Sequence, residues 1–268
     1  MPSEPSIRWT RLLTVALWTS VIVLTLLGFI ASAGRTFSVL EGFGSSAEER
    51  PELSSLDRES TRQMNVLLGA EPGSEEFREL DEQNRRFLGK FNQHPVATLL
   101  HVLPAALFLI LAPLQFSRTI RTRHIRWHRW AGRVLMVIAI PIGLSGLFFG
   151  LLFPFSGALE ASAIAVFGAL FLIAPIRGFR AIRKGQIARH REWMIRMCAV
   201  ALGVSTVRLC GMVLAIATRE GPEIWFGYSV WLGFTITVCV AELWIRHTRG
   251  TPESARPAET PLAFSEGT

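Results

Sequence analysis

The chain has 268 residues, half of them hydrophobic, and a mean hydropathy of +0.34. Its apolar residues fall in long blocks, which excludes an ordinary soluble domain, where charges are spread more evenly. The formal charge of +7 sits beside the ends of those blocks, which argues for a lipid bilayer and against nucleic acid as the partner.

A hydrocarbon core about 30 Å thick is crossed by roughly 20 apolar residues in a helix. Six blocks meet that length, and the first covers residues 12–33. It follows Arg8 and Arg11 and ends on Ala31, Ser32 and Ala33, a pattern shared with cleaved signal peptides. Its apolar run exceeds the about 7 to 15 residues of a signal-peptide core, which favours a retained anchor. Residues 34–94 then form one long, acid-rich segment. A stretch beginning "SSLDRES" reads as a short helix broken at Glu71-Pro72-Gly73. After it Ser74 is placed to cap a helix, with Phe77, Leu80, Phe87, Leu88 and Phe91 along one face. This amphipathic helix reads either as a lid over an outward-facing site or as a surface helix resting on the bundle or the membrane interface.

The remaining blocks are residues 95–116, 131–153, 159–176, 193–218 and 224–245. Arg118, Arg121, Arg123, Arg126 and Arg129 separate the second from the third, and Arg177, Arg180, Arg183, Lys184, Arg189 and Arg191 separate the fourth from the fifth. By the positive-inside rule both loops, and both termini, face the cytoplasm. The strands of a membrane barrel would alternate polar and apolar residues, and these blocks do not. The expected fold is therefore an all-α integral membrane bundle of six transmembrane helices, with cytoplasmic termini and one long extracytoplasmic loop. Its expected divisions are residues 1–33, an acidic loop at 34–94, a five-helix core at 95–246 and a disordered tail at 247–268. Cys198, Cys210 and Cys239 all fall inside membrane helices and imply no disulfide framework.

Polar groups inside membrane helices are costly, so each calls for a partner or a purpose. His101 lies about six residues into the second helix and Arg208 about ten from the outer end of the fifth, in the same half of the bilayer by the roughly 1.5 Å rise per residue. This pair reads as an outer site in which His101 ligates haem iron or hydrogen-bonds a quinone while Arg208 holds a propionate or carbonyl. The alternative is a structural contact between helices. At the inner boundary, His128 and His190 come from different helices and can hold a haem b, with Arg129, Arg133 or Arg196 on its propionates. His124, His128 and His190 can instead make a metal site, or all of them anchor the helices against anionic headgroups. Glu242 and Arg246 read as an i,i+4 pair, and Gly143, Gly146 and Gly150 as a close-packing face. The chain carries no P-loop, dinucleotide fingerprint, Ser/His/Asp order or HExxH.

The blocks "HVLPAALFLILAPLQF", "HRWAGR" and "HREWMIR", within residues 95–208, resemble a bacterial family of multi-pass membrane proteins catalogued as domain of unknown function 2306. The resemblance implies a place in the bacterial inner membrane and brings family histidines onto His101, His128 and His190, without assigning a chemistry. The arrangement is also similar, in architecture alone, to b-type membrane cytochromes. Together these lead to a membrane redox protein or subunit that binds haem or quinone and serves a redox partner or small-molecule ligand. A small-solute, ion or metal transporter and a non-catalytic scaffold or sensor are the alternatives.

Overall fold

The computed structural model describes residues 4–42 and 53–249. These form nine helices: α1 (Glu4–Glu41), α2 (Ser55–Leu67), α3 (Glu75–Gln93), α4 (Pro95–Gln115), α5 (Arg118–Arg123), α6 (Ile125–Leu152), α7 (Gly157–Arg183), α8 (Ile187–Thr218) and α9 (Pro222–Thr248). Six are long and apolar enough to cross a membrane: α1 from Leu12 onward, α4, α6, α7, α8 and α9. The helices outrun the apolar blocks, because backbone hydrogen bonding does not stop where the hydrocarbon does. α6 begins at Ile125 and α8 at Ile187, so both carry arginine and histidine in their first turns. α1 runs unbroken through Ala31, Ser32 and Ala33 to Glu41. A break comes where the backbone must turn. Gly185, with φ +69°, separates α7 from α8 in a left-handed conformation that side chains disfavour. Residues 250–268, which hold most of the expected tail, lie outside the described residues.

α1 packs on α4 and α8, α4 on α6, α6 on α7, and α7 on α8, which closes a ring; α9 lies against α7 and α8. The core inside is apolar, built on Phe108 from α4, Leu135 and Ala139 from α6, Phe167 and Phe171 from α7, and Met197 and Val200 from α8. Phe108 meets Phe171 edge to face at 5.7 Å. Small residues set the closest approaches. A Cβ at Gly233 of α9 would fall 2.5 Å from the backbone nitrogen of Val207 on α8.

α2 and α3 cap one end of the bundle. Each begins on a serine whose Oγ accepts from the third residue on, Ser54 from Asp57 N and Ser74 from Phe77 N, both at 3.0 Å. Leu68, Ala70 and Leu80 of this cap bury themselves with Ala215 of α8 beside Met64, Phe77 and Trp225. Phe87 stacks edge-on against Phe226 at 4.7 Å and Phe155 at 5.1 Å. Lys90 donates to the Phe153 carbonyl at 3.1 Å and stands 3.6 Å from Glu160. α3 therefore rests on the bundle end, a contact that the surface-helix and the lid readings share.

The opposite end carries the arginines. There Arg196 forms a two-pronged pair with Glu242, with Nη2 to Oε2 at 3.0 Å, and Arg249 does the same with Glu192, with Nε to Oε1 at 2.9 Å. This corrects the i,i+4 expectation: Glu242 pairs across the α8–α9 seam with Arg196 rather than along its own helix with Arg246. A planar guanidinium that meets both carboxylate oxygens makes a stronger contact than one helical turn allows.

Candidate functional site

His101 lies one helical turn past Thr98, whose hydroxyl donates to the Phe91 carbonyl at 2.7 Å and ties the start of α4 to the cap. Its imidazole turns into the α4–α6 seam, where Nδ1 lies 3.1 Å from the Ile142 carbonyl and 3.1 Å from Ser145 Oγ. A carbonyl only accepts, so Nδ1 carries the hydrogen, and in the uncharged ring the lone pair is on Nε2. Ser145 donates in turn to the Pro141 carbonyl. Room for the ring comes from Gly146, where a Cβ would lie 3.5 Å from His101 Cε1. Among the described residues Nε2 has no hydrogen-bonding partner.

Arg208 lies close enough to His101 and to Arg35 for their charges to interact. Its Nη1 donates to the Val204 carbonyl at 3.1 Å. Among the described residues no carboxylate lies within ion-pair distance of it. Arg208 is exposed, so the guanidinium stands on an open surface at membrane depth instead of in packed core. The structure thus brings His101 and Arg208 to one junction, where α1, α4 and α8 meet. It adds Arg35, which the sequence reading left out because the apolar run ends at Ala33. The Arg35 guanidinium pairs with Asp57 of α2 at 3.0 Å and lies over the Phe91 ring at 5.3 Å. An arginine two residues past an apolar run, at the start of an acidic loop, was the available signal.

At the basic end, His190 mirrors His101. Its Nδ1 lies 3.0 Å from the Gly178 carbonyl of α7, which again leaves the lone pair on Nε2. His128 of α6 lies near His190, Arg121 and Arg129. Among the described residues His128 Nδ1 is buried without a hydrogen-bond partner, and so is Gln115 Nε2 on α4. Gln115 borders Gly132, one turn beyond His128 on the same helix. It closes the second apolar block and gave no sign beyond being polar there. His124 is the N-cap of α6, outside its helical backbone, so it does not share a helical face with His128. Among the described residues no group of three His, Cys, Asp or Glu side chains is gathered closely enough to hold a metal ion. Arg196, considered for a propionate, is engaged by Glu242 and lies over the Trp193 ring at 4.9 Å. Arg129 is exposed beside the two histidines.

Six long apolar helices in one bundle define a multi-pass α-helical membrane protein. The chain belongs to the family described as predicted membrane protein (DUF2306), whose model matches residues 98–245. That match holds His101, His128, His190 and Arg208, and leaves out α1 and the cap. No curated protein and no solved structure matches the chain.

Proposed function

We propose that the protein is a membrane redox protein, or the membrane subunit of one, that takes a quinone headgroup between His101 and Arg208. The observation that supports this most is the anchoring of His101 Nδ1 to the Ile142 carbonyl and Ser145, which leaves the lone pair on Nε2 as a proton acceptor in a ring that lies near Arg208. A quinol hydroxyl donates to Nε2, and the guanidinium steadies the negative charge that grows on the same oxygen. The open surface at Arg208 lets a lipid-soluble ligand enter sideways from the bilayer. Cation transport finds less support, because Glu160, Glu192 and Glu242 each already hold backbone N–H groups or an arginine. The cap lies on the outer side in this reading, and the arginine-rich end in the cytoplasm of the bacterial inner membrane.

A second reading is favoured at the basic end by the fixed tautomer of His190. Nδ1–H to a main-chain carbonyl is the arrangement that orients an iron-ligating imidazole. His128 and His190 would hold a haem b, with Arg129 available to a propionate, since Arg196 is taken by Glu242.

The test is the composition and spectrum of full-length protein purified from cells supplied with haem precursor. Quinone should appear in an organic extract of the wild type and be lost in folded His101→Ala and Arg208→Met. Wild-type protein free of quinone, or variants that retain it, would overturn the first reading. A Soret band that responds to dithionite and disappears in His128→Ala or His190→Ala carries the second, and a colourless wild type removes it.

A further inference from the structure

We infer that the junction of α1, α4 and α8 binds an anionic amphiphile, with Arg35 as a further member of the site and Asp57 as the counter-ion the ligand competes with. The inference rests on reading His101 and Arg208 as a ligand site and adds the charge of what occupies it. Two contacts set the register of the two helices. Ser205 Oγ donates to the Leu24 carbonyl at 2.7 Å, and a Cβ at Gly28 would lie 2.8 Å from that same Oγ, so α1 and α8 touch along this line. From that level Arg208 is one turn further along α8 and Arg35 three turns further along α1. At about 1.5 Å per residue their Cα atoms stand roughly 12 Å apart along the axis, and Arg208, whose Nη1 is turned back to the Val204 carbonyl, swings toward Arg35 when the two hold one ligand.

The charges there do not cancel. Among the described residues, Arg35 holds Asp57 at 3.0 Å, with side chains 19% and 8% exposed, while Arg208 has the Val204 carbonyl and no carboxylate at ion-pair distance. An arginine in mid-membrane is costly even on the mildest scales, and one negative charge on a ligand offsets that cost. The surroundings select an amphiphile over a free ion. The open face of Arg208 lies at membrane depth, Phe91 covers Arg35, and Leu109 packs at Gly28. An acidic headgroup on an apolar tail fits, whether the acid is a carboxylate, a phosphate or an ionised quinol. Asp57 sits on α2, outside the membrane helices, so the cap supplies the resident counter-ion and binding of the ligand loosens its hold on Arg35.

The experiment is thermal unfolding of the full-length protein in a neutral maltoside detergent at pH 8, titrated with sodium laurate, dodecyl phosphate or uncharged lauroyl glycerol. Laurate or dodecyl phosphate should raise Tm saturably and lauroyl glycerol should not; whichever anion acts at lower concentration identifies the acid. Arg208→Met should weaken the response about tenfold, the loss expected of one charge-assisted contact. Asp57→Asn should strengthen it several-fold, a gain that a purely structural ion pair would not give. If Asp57→Asn does not fold, Arg35→Lys must retain the response and Arg35→Met must weaken it. Equal stabilisation by lauroyl glycerol, or an unaltered response in Arg208→Met, overturns the inference. Laurate binding without copurified quinone or haem sinks the redox reading alone. Quinone that is lost in Arg208→Met, without any response to the anions, sinks this inference alone.

Discussion

Gly146 differs from the glycines one turn to either side of it. A Cβ at Gly143 would meet Leu172 Cδ2 at 2.4 Å and one at Gly150 would meet Ile164 Cγ2 at 2.4 Å, so these two are contact points between α6 and α7. At Gly146 the nearest atom is His101 Cε1 at 3.5 Å, an ordinary van der Waals contact. The same small residue thus packs helices at two positions and accommodates an imidazole at the third. Gly150→Ala should lower stability by about 1–3 kcal/mol, because the crowded Ile164 atoms are β-branched and cannot swing aside. Gly146→Ala should stay within about 0.5 kcal/mol of wild type. Gly146→Leu should push the ring off the Ile142 carbonyl and abolish ligand binding. Thermal unfolding in detergent, followed with and without ligand, separates the three; similar losses for Gly146→Ala and Gly150→Ala would contradict the assignment. The glycine row itself was legible in the sequence. Which glycine faces the histidine was not, because that depends on how α4 and α7 are rotated against α6.

Between elements, three seams rest on charge, and Arg35–Asp57 between α1 and α2 is one of them. Along α8–α9, Arg196 and Glu242 side chains are 17% and 34% exposed, enough shielding for the two-pronged contact to count. A double-mutant cycle with Arg196→Ala and Glu242→Ala should show a coupling of about 1–3 kcal/mol, against nearly none for Glu242→Ala with Arg246→Ala. Where α3 meets the bundle, Lys90 reaches Glu160 and the Phe153 carbonyl from a nearly enclosed position. Burial holds its ammonium below the ordinary lysine value of 10.5, and Glu160 offsets only part of that. In the unfolded chain the proton is held to higher pH. Just below pH 10.5 the unfolded state therefore binds more protons than the folded one, and this residue's contribution to stability rises with pH. Tm measured from pH 8 to pH 10 should show this rising component in wild type, on whatever background the other groups give, and lose it in Lys90→Met. Identical profiles for the two proteins would refute it.

For the molecule as a whole, the bilayer explains what could be read in advance. A spanning helix must satisfy its own backbone and show apolar side chains to lipid, so six spans were visible as composition alone. His101 and Arg208 stood out for the same reason, as costly groups far from any end. Arg35 and Gln115 did not, since polar residues at the ends of apolar runs are ordinary there, and only the packing shows one paired to the cap and the other buried beside Gly132. The ring order of the helices was also hidden, because it is decided by contacts between residues distant in sequence, such as Ser205 with Leu24. Orientation is a separate inference: the arginines of α5, the start of α6 and the α7–α8 turn lie opposite the acidic cap, and the positive-inside rule sends that end to the cytoplasm. In a chain whose Cys198, Cys210 and Cys239 are replaced by alanine, single cysteines can be placed by Glu79→Cys, Arg123→Cys and Lys184→Cys. A membrane-impermeant maleimide added to intact cells should label the first and spare the other two until the cytoplasmic side is opened. Labelling of the Arg123 or Lys184 position in intact cells would reverse the orientation, and would carry the His101–Arg208 junction to the cytoplasmic half of the membrane.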